Sequence, residues 1–387
     1  MNVYKRLPVR FERGEGIWLW DDEGKKYFDA VGGMAVNILG HAHPRVIQAI
    51  QEQATKLIHC SNLYENSKQS ELAAALCRLS ALDKAFFCNS GAEAVEMALK
   101  LARLYGHQKG FECPKILVTE HAYHGRTLAC ITAGGNLKNQ KGFEPLLPGF
   151  LRVPFNDIPA IIAAAKAHPD IAAILVEPIL GEKGIIVPAD DYLRKIRKIC
   201  DEHKWLMMLD EVQTGLGRTG TFFRYQAEGI VPDVVALAKG LANGVPIGAC
   251  LAALPYADLF EPGSHGTTFG GNHLSCASAL ATLKVVEDEQ LVQHAQKKGL
   301  LLINSLREAL KDNPHVINIR GKGLMIGIEF DQPCTDMMFN ALEHRILFTI
   351  SHQTTIRLLP SLRITETEVE ALVKRLSKVV HVYPFKD

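Results

Sequence analysis

Short apolar runs alternate with amphipathic stretches through the middle of the chain. The apolar runs are rich in Val, Ile and Leu, which is typical of buried strands, and they cover residues 115–119, 172–177, 206–210, 234–238 and 248–253. Helical spacing of apolar positions appears between some of them, at residues 159–167 and 189–203. This alternation predicts an α/β fold with a mostly parallel central sheet that carries helices on both faces.

The pattern changes on both sides of this central region. The sheet is expected to begin after the amphipathic stretch 71–80 and to end near Ala253. Beyond residue 280 two helical segments (291–311 and 366–380) and two strand-like segments (324–330 and 355–359) predict a smaller α+β domain. Possible strands at 17–21 and 26–29 indicate that the start of the chain packs on that domain. We therefore predict an N-terminal segment (1–45), a large domain (46–285) and a C-terminal small domain (286–387).

Composition excludes several classes of protein. With 47% hydrophobic residues, 22% charged residues and a formal net charge of +1, the chain has the composition of an ordinary soluble globular protein. Its densest basic run, Lys195 to Lys198, is typical of a solvated helix face, so no nucleic-acid partner is expected. No apolar stretch approaches the roughly 20 residues of a membrane span, and residues 1–10 hold no signal-peptide core, so we expect no membrane association and a cytoplasmic location.

Cysteine and histidine positions give no metal site. Nine cysteines are scattered without a C-x-x-C pair, which predicts free thiols in a reducing compartment. His41 and His43 form an H-x-H arrangement, but no Cys, Asp or Glu cluster stands near them in the sequence, and a turn before Pro44 explains them as well. We predict no metal.

An acidic residue ends the third apolar run. Five apolar residues stop at Asp210 and Glu211, and ligands of parallel α/β sheets bind at the carboxyl ends of the strands. Asp210 would therefore face a cation or a protonated ring nitrogen, with a helix cap as the alternative. Gly215, Gly217 and Gly220 nearby match G-x-G-x-x-G, but DEVQT separates them from the strand and aromatic TFFRY follows, which disfavours a dinucleotide-binding helix start.

A lysine closes the next apolar run. Lys239 follows VVALA and precedes Gly240 and Gly244. Burial lowers the pKa of a lysine from about 10.4, and condensation with an aldehyde removes its charge. The glycines would let a bulky cofactor approach the backbone. Taken alone, a lysine that reaches solvent from a strand end is the simpler interpretation.

Three further segments offer groups that bind anions and rings. Ser90 and Glu93 predict a capping box at a helix start, whose free N–H groups also suit a phosphate. Tyr123 and Arg126 follow an apolar strand and suit a flat ring and a carboxylate, with a loop salt bridge as the alternative. The Gly- and Thr-rich loop 263–272 carries donors but almost no charge, so it can also meet a phosphate.

Taken together and in order, these segments resemble a known family. The motifs NSGAEA, YHGRT, EPILGE, LDEVQTGLGRTG, ALAKGLANGVPIGA and HGTTFGGN are similar to those of the class III (ornithine and acetylornithine type) aminotransferases, which are fold type I enzymes dependent on pyridoxal 5'-phosphate. The likeness spans nearly the whole chain. It implies that the large domain binds this cofactor.

The resemblance also implies a role for each residue toward the cofactor. Lys239 would form a Schiff base with the cofactor and later move the substrate proton, while Asp210 would pair with the pyridinium nitrogen so that the ring acts as an electron sink. Gln213 would contact the phenolic oxygen, and Tyr123 would stack on the ring. The phosphate would be held by the backbone of three consecutive residues, Ser90, Gly91 and Ala92.

Substrate binding and assembly follow from the same resemblance. Arg126 and Thr267 would bind substrate, and Arg357 would take the α-carboxylate of glutamate or 2-oxoglutarate. Glu182 would mask Arg357 while the amino donor is bound. Thr268 would reach the phosphate in the neighbouring subunit, which implies an obligate homodimer with shared active sites.

Three positions bear on how closely the chain follows the family. Ala92 stands where many relatives have Thr, which removes one hydroxyl contact to the phosphate but leaves the backbone donors. Tyr123 stands where others carry Phe or Trp and remains a stacking ring. Tyr4 is a candidate for recognising the α-carboxylate of free ornithine.

The expected reaction moves the terminal amino group of N2-acetyl-L-ornithine to 2-oxoglutarate, giving N-acetylglutamate 5-semialdehyde and glutamate in arginine biosynthesis. Within the family, ornithine 5-aminotransferase activity, or succinyl-diaminopimelate as a second substrate, stays open. A cofactor-fold binding protein without turnover and an NAD-dependent dehydrogenase are the alternatives from other classes; the presence of both Lys239 and Asp210 disfavours the first.

Overall fold

The computed structural model describes residues 1–385, and the chain begins with three short strands and two helices. These are β1 (Phe11–Glu15), β2 (Trp18–Asp21), β3 (Lys26–Asp29), α1 (Gly32–Ala35) and α2 (Pro44–Ala54). Pro44 at the first helical position of α2 suits a helix start, because proline lacks the N–H that would have no acceptor there. Residues 386 and 387, at the end of the predicted small domain, lie outside the described residues.

The central region contains seven strands and six helices. In chain order they are α3 (Ser67–Ser80), β4 (Lys84–Cys88), α4 (Gly91–Gln108), β5 (Lys115–Thr119), α5 (Leu128–Ala133), β6 (Phe150–Val153), α6 (Ile158–Ala167), β7 (Ile171–Val176), α7 (Tyr192–His203), β8 (Leu206–Asp210), β9 (Val234–Leu237), β10 (Gly248–Ala252) and α8 (His273–Asp288). Short 3₁₀ turns cover Leu137–Asn139, Arg224–Glu228, Lys239–Ala242 and Tyr256–Leu259.

The seven strands form one sheet in the order β4-β10-β9-β8-β7-β5-β6. The pairs β9 to β8, β8 to β7, β7 to β5 and β5 to β6 are parallel, and β10 runs antiparallel to β4 and β9. The prediction of an α/β fold with a mostly parallel central sheet is therefore confirmed. Because β5, β7, β8 and β9 run in the same direction, the residues that follow them lie along one edge of the sheet.

Helix packing explains the burial of this sheet. All six residues of β7 and all five of β8 are buried, as expected for strands covered on both faces. Helix α4 packs on the sheet through a face of small and aliphatic residues that includes Ala94, Ala98 and Ala102. Each fully buried Leu, Ile or Val contributes roughly 1.5–3 kcal/mol relative to an exposed one, so this core fixes the strand ends rigidly.

The C-terminal region has its own sheet. Its elements are α9 (Leu291–Leu310), β11 (Val316–Lys322), β12 (Met325–Phe330), α10 (Met337–Glu343), β13 (Ile346–Leu347), β14 (Thr349–Ser351), β15 (Thr355–Leu358) and α11 (Glu366–Val382). Strands β11, β12, β15 and β14 form an antiparallel sheet in that order. Strand β13 instead pairs in parallel with β3, so the start of the chain shares a sheet with the C-terminal region. The domain boundaries at 45 and 285 stay predictions.

Several strands escape prediction because their sequences lack a strong pattern. Strand β13 has only two residues, β1 reads FERGE with little apolar content, and β11 contains Gly321 and three polar residues. Two other expectations can be placed in the structure: all nine cysteines are free thiols, and His41 contacts Asp29 with its Nε2 at 2.7 Å from the carboxylate. Between residues 1 and 385 no helix is long and apolar enough to cross a membrane.

Candidate active site

A cavity of about 440 Å³ lies at the carboxyl edge of the large sheet. We call it the active-site cavity. Its wall includes residues that follow β5, β7, β8 and β9, together with the start of α4. Eight of the predicted site residues line it: Ser90, Gly91, Ala92, Tyr123, Arg126, Asp210, Gln213 and Lys239. The structure thus brings together side chains that are separated by up to 149 positions in the sequence.

Lys239 enters this cavity directly after β9. It begins the 3₁₀ turn Lys239–Ala242 and has a φ of 43°, a left-handed backbone conformation that non-glycine residues rarely adopt. Desolvation lowers the pKa of its amine, although Asp210 and Glu182 act in the opposite direction. A lowered pKa enlarges the fraction of neutral amine, which is the nucleophilic form.

Asp210 ends β8 and is only 5% exposed. One carboxylate oxygen accepts the backbone N–H of Val212 at 3.1 Å. The other lies 2.8 Å from Nδ1 of His124, which is itself buried. The Nε2 atom of His124 is buried and has no partner among residues 1–385. The carboxylate is therefore held from one side by a histidine and from the other by the main chain.

Glu177 completes a buried ionisable cluster with Asp210 and His124. It follows β7 and accepts the N–H groups of Tyr123 at 2.7 Å and Gly181 at 3.2 Å. Burial and then the negative charge of Asp210 raise the pKa of Glu177 to about 7. The sequence prediction missed both His124 and Glu177. The signal for Glu177 was present, because it follows an apolar strand in the same way as Asp210.

The start of α4 approaches the cavity with its backbone exposed. The Ser90 hydroxyl accepts the N–H of Glu93 at 3.2 Å, as the predicted capping box requires. The Glu93 carboxylate, however, accepts the N–H and side-chain amide of Asn89 and not the N–H of Ser90, so the reciprocal half of the predicted box is wrong. The first N–H groups of the helix have no intrahelical acceptor and remain available to an anion.

Glycines keep this part of the wall open. A Cβ added to Gly91 would lie 2.8 Å from Cγ1 of Val212, and one added to Gly248 would lie 2.3 Å from the carbonyl oxygen of Ser90. Neither position can carry a side chain without movement of its neighbours. The close approach of these segments shapes the cavity at the start of α4.

These residues fit the cofactor that the sequence resemblance implies. Pyridoxal phosphate carries a phosphate, a ring nitrogen, a phenolic oxygen and an aldehyde. The cavity offers helix N–H groups, the Asp210 carboxylate, the Gln213 side chain and the Lys239 amine. Oε1 of Gln213 is buried without a partner in the described chain, so the amide group has bonding capacity left for a ligand.

Arg126 and Tyr123 lie side by side at the cavity wall. The Arg126 guanidinium carbon is 5.5 Å from the centre of the Tyr123 ring, and one nitrogen donates to Oδ1 of Asn139 at 2.7 Å. Arg126 is exposed and, among residues 1–385, has no carboxylate within salt-bridge distance. The alternative of a loop salt bridge is therefore not what the structure contains.

The other predicted substrate residues lie outside the wall of this cavity. Arg357 in β15 is 2% exposed in its side chain and forms an ion pair with Glu182 at 2.5 Å. Its Nε also donates to the hydroxyl of Thr349 at 3.3 Å. Glu182 belongs to the loop after β7, so this pair connects the large sheet with the C-terminal sheet.

The threonine loop meets the start of α4 from outside. The hydroxyl of Thr267 accepts the side-chain amide of Asn89 at 3.1 Å. Thr268 is exposed and does not line the active-site cavity of its own chain. Tyr4 is 71% exposed and is also absent from the wall.

The glycine motif after β8 does not form a nucleotide site. Gly215, Gly217 and Gly220 lie in consecutive turns, and the next helical element is the 3₁₀ turn Arg224–Glu228. Added Cβ atoms at Gly217 and Gly220 would meet Val292 and Gln296 of α9 at 3.3 Å and 3.1 Å. These glycines let the turns after β8 pack closely against α9. They do not begin a helix that points toward a ligand.

Known proteins match the chain over almost its full length. The family model described as aminotransferase class-III matches residues 2–380. A protein named acetylornithine aminotransferase from Nitrosomonas europaea is 50% identical over 380 residues, which covers 98% of this chain and 97% of that protein. Acetylornithine aminotransferase 1 from Bordetella bronchiseptica is 47% identical, with 98% and 96% covered.

Solved structures agree with this match. The ornithine aminotransferase from Toxoplasma gondii ME49 superposes with a TM-score of 0.95 at 33% identity, covering 98% of this chain and 92% of that chain. The acetylornithine aminotransferase from Elizabethkingia anophelis superposes with a TM-score of 0.89 at 38% identity, covering 99% and 96%. With the family model matching residues 2–380, the chain belongs to the class III aminotransferases, which are transaminases that use pyridoxal phosphate.

Proposed function

We propose that the protein transfers the terminal amino group of N2-acetyl-L-ornithine to 2-oxoglutarate, giving N-acetylglutamate 5-semialdehyde and glutamate, a step of arginine biosynthesis. The observation that carries this proposal is the identity of 44–50% along nearly the whole chain to proteins named acetylornithine aminotransferase. The site is consistent with the reaction, because the Lys239 amine and Arg126 line the cavity and a second buried arginine, Arg357, lies outside its wall.

Lys239 is the nucleophile and the base in this proposal. Pyridoxal phosphate, when bound, supplies an aldehyde for amine exchange and a ring that withdraws electrons from the substrate carbon. The Lys239 amine directly follows β9, and desolvation lowers its pKa, which enlarges the neutral, nucleophilic fraction. It can therefore attack a carbonyl carbon, and once displaced it can carry a proton from the substrate carbon.

Asp210 and its neighbours hold the ring. The Asp210 carboxylate would pair with a protonated ring nitrogen, and His124 and the N–H of Val212 fix its two oxygens. Gln213 would donate to the phenolic oxygen, and Tyr123 would stack on one face of the ring. Because His124 and the main chain fix the Asp210 carboxylate, it would need no rearrangement to stabilise a positive ring nitrogen.

The phosphate would bind at the start of α4. The backbone N–H groups of Ser90, Gly91 and Ala92 lie at the positive end of the α4 dipole, where an anion would be stabilised. Ala92 offers no hydroxyl, and its Cβ lies against Gly125, where an added Cβ would come within 2.8 Å. The small residue at position 92 is thus matched to a close approach of the loop that carries Tyr123.

Two arginines would sort the two substrates. Arg126 and Thr267 would bind the N-acylated donor, with Arg126 taking its carboxylate. Arg357 would bind the α-carboxylate of glutamate or 2-oxoglutarate, and Glu182 would cover it when the donor is present. The 2.5 Å ion pair between Glu182 and Arg357 supports this proposal, because it would be the closed form of such a gate.

We propose that the enzyme is a homodimer with shared active sites. Large apolar side chains are exposed beside Thr268: Leu63 by 87%, Tyr64 by 70% and Phe269 by 60%. The side chain of Asn62 donates to the carbonyl of Thr267 at 3.0 Å, so these residues form one continuous surface. A second copy that covers this surface would bury it and bring Thr268 to the neighbouring phosphate.

Assembly can be tested by light scattering after gel filtration. We expect the wild-type protein to elute at twice the mass of the chain. Leu63→Asp should shift the population to the monomer and remove turnover, whereas Leu300→Asp, which changes a leucine of α9 that is 61% exposed, should leave the dimer intact. A wild-type monomer with full activity would contradict the shared site.

A cytoplasmic location is part of the proposal. All nine cysteines are free thiols, and Cys113 is exposed, which suits a reducing compartment. Cell fractionation with a cytoplasmic marker enzyme tests this location.

A second candidate is ornithine 5-aminotransferase activity, because two solved structures named ornithine aminotransferase superpose with a TM-score of 0.95. A profile of amino donors separates the two activities. The purified enzyme loaded with pyridoxal phosphate should show a kcat/KM for N-acetylornithine well above that for ornithine, with succinyl-diaminopimelate measured in parallel. A higher kcat/KM for free ornithine would reject the first proposal and support the second.

A further inference from the structure

A second, larger cavity adjoins the active-site cavity. Its volume is about 950 Å³, and Tyr123 and Arg126 line both cavities. We call it the entrance cavity. Its walls come from residues 121–126 and 135–139, the loop with Glu182 and Lys183, the end of β12, and the β14–β15 hairpin. A substrate that reaches the active-site cavity from this side passes these walls.

Two of the three acidic residues of the entrance cavity are neutralised by arginines. Glu182 forms an ion pair with Arg357 at 2.5 Å, and Glu329 forms one with Arg320. The third, Asp331, lies 3.2 Å from Nδ1 of His315, a contact that is an ion pair only when the imidazole is protonated. At most one negative charge of the cavity is therefore left without a cationic partner.

The basic residues of the same cavity are not neutralised. Within residues 1–385, Arg126, Lys138 and Lys183 have no carboxylate at salt-bridge distance, although all three line the cavity. Arg126 donates to the neutral amide of Asn139. Uncompensated charges of one sign along a cleft focus the electric field and attract ligands of opposite charge. The wall of the entrance cavity therefore carries an excess of positive charge.

Lys183 is held in place by a histidine. Its Nζ lies 2.8 Å from Nε2 of His352, which must accept this hydrogen bond and is therefore the unprotonated nitrogen of the ring. Burial and the charge of Lys183 lower the pKa of His352, which agrees with a neutral ring. The His121 ring lies 6.3 Å from that of His352 between ring centres, and the pKa of His121 is lowered by burial and then by Lys183.

The hairpin turn that carries His352 is unusual. His352 and Gln353 have φ values of 50° and 67°, which glycine or asparagine adopts more readily. The turn is nevertheless fixed, because the N–H of Cys334 donates to the carbonyl of Gln353 and the N–H of Phe330 donates to that of Thr354, both at 2.8 Å. Strained backbone that the surroundings hold in place is typical of functional positions.

We propose that Lys183, positioned by His352, is a specificity-determining residue that draws dianionic amino acceptors into the active site. This proposal rests on the proposed function only in requiring a dicarboxylate acceptor. The acceptor 2-oxoglutarate carries two negative charges, whereas N-acetylornithine is a zwitterion of net charge zero. The positive charge of Lys183 therefore attracts 2-oxoglutarate and exerts little net attraction on N-acetylornithine. The kinetics with the donor serve as an internal control.

The test compares Lys183→Met with the wild type in steady-state kinetics of the complete enzyme. Removing one charge should lower kcat/KM for 2-oxoglutarate by about three- to tenfold at low salt, because one charge contributes on this scale to a dianion a few ångströms away in a partly aqueous cavity. The kcat/KM for N-acetylornithine should stay within about twofold. Raising the ionic strength should lower kcat/KM for 2-oxoglutarate less steeply in the variant.

Two further variants make the result decisive. Lys374→Met removes an exposed lysine from α11 and should behave as the wild type in every measurement. Lys138→Met removes a charge from another wall of the entrance cavity and should change kcat/KM for 2-oxoglutarate in the same direction as Lys183→Met. If both lysine variants lower kcat/KM for 2-oxoglutarate, the loss of charge, and not a local distortion around Lys183, causes the decrease.

Three outcomes would overturn the proposal. These are an unchanged kcat/KM for 2-oxoglutarate, an unchanged salt dependence, or an equal loss for donor and acceptor, which would indicate a structural role for Lys183. Failure of the proposed function looks different, because it appears as a preference for another amino donor while the acceptor measurements remain interpretable.

Discussion

Replacing His124 tests how the Asp210 carboxylate is held. The histidine Nδ1 lies 2.8 Å from Asp210 and both side chains are buried, so His124→Leu would remove the donor without letting water replace it. Asp210 would keep the N–H of Val212 at 3.1 Å as its remaining donor from the described chain. An incompletely satisfied buried carboxylate is held less firmly in its charged form, and that form is the one that pairs with a cationic ring.

The size of the effect follows from the type of bond. A hydrogen bond to a charged group contributes about 1.5–3 kcal/mol, and each 1.4 kcal/mol is tenfold in an equilibrium constant. We therefore expect His124→Leu to raise the dissociation constant of pyridoxal phosphate by about 10- to 100-fold. His124→Asn, whose amide can still donate toward Asp210, should recover most of this loss.

The assay is a titration of the cofactor-free protein with pyridoxal phosphate, followed by absorbance, with thermal unfolding measured beside it. Affinity in His124→Leu within threefold of the wild type would refute the idea that His124 holds Asp210 for the cofactor. A parallel loss of affinity in the Leu and Asn variants would show that ring packing, and not the donated bond, is what matters.

The remaining predictions concern the amine, the gate and the buried acid. Lys239→Ala should keep the fold and abolish turnover; a rate within tenfold of the wild type would contradict its role. Glu182→Gln should free Arg357 and lower the KM for 2-oxoglutarate by about fivefold, since a half-exposed pair contributes about 1 kcal/mol, and equal KM values would argue against the gate. Burial raises the pKa of Glu177 from 4.5 to about 7, so the folded protein binds a proton more tightly than the unfolded one and loses stability as pH rises through this window. The free energy of unfolding of Glu177→Gln, relative to that of the wild type, should therefore rise by up to about 3 kcal/mol between pH 4.5 and 7.5. Denaturant unfolding of the cofactor-free proteins measures this difference, and stability curves of the two proteins that stay parallel with pH would contradict it.

The parts of the fold that the sequence predicts are those with a strong local pattern. The spans predicted for β5 and β8 agree with the structure at both ends, because continuous apolar runs bounded by polar residues specify buried strands. Strand β13 could not be found, since its two residues pair with β3 more than 300 positions away. Pairing at that distance is decided by tertiary packing and leaves no local pattern.

The residues of the candidate site also divide into those that the sequence can predict and those that it cannot. Asp210 and Lys239 are candidates from the sequence because each ends an apolar strand, and the family resemblance then supplies their roles. His124 is not recognisable, because its value comes from lying beside Asp210, 86 positions away, and a histidine in a loop has no pattern of its own. The sequence also cannot show that Lys183 lacks an ion-pair partner, because this depends on how the nearby carboxylates are paired in the folded structure.

The positions of Glu182 and Arg357, outside the wall of the active-site cavity, suit the proposed gate between two substrates. Glu182 follows a strand of the large sheet and Arg357 lies within the C-terminal sheet, so their ion pair spans two separately built layers. Arg357 is nearly inaccessible, whereas the Glu182 side chain is 39% exposed. When a second carboxylate competes for Arg357, the exposed partner can therefore leave toward water at little cost, while the buried arginine stays fixed by β12 and β14 on either side. In the proposed gate, this asymmetry in burial would make Glu182, and not Arg357, the group that moves.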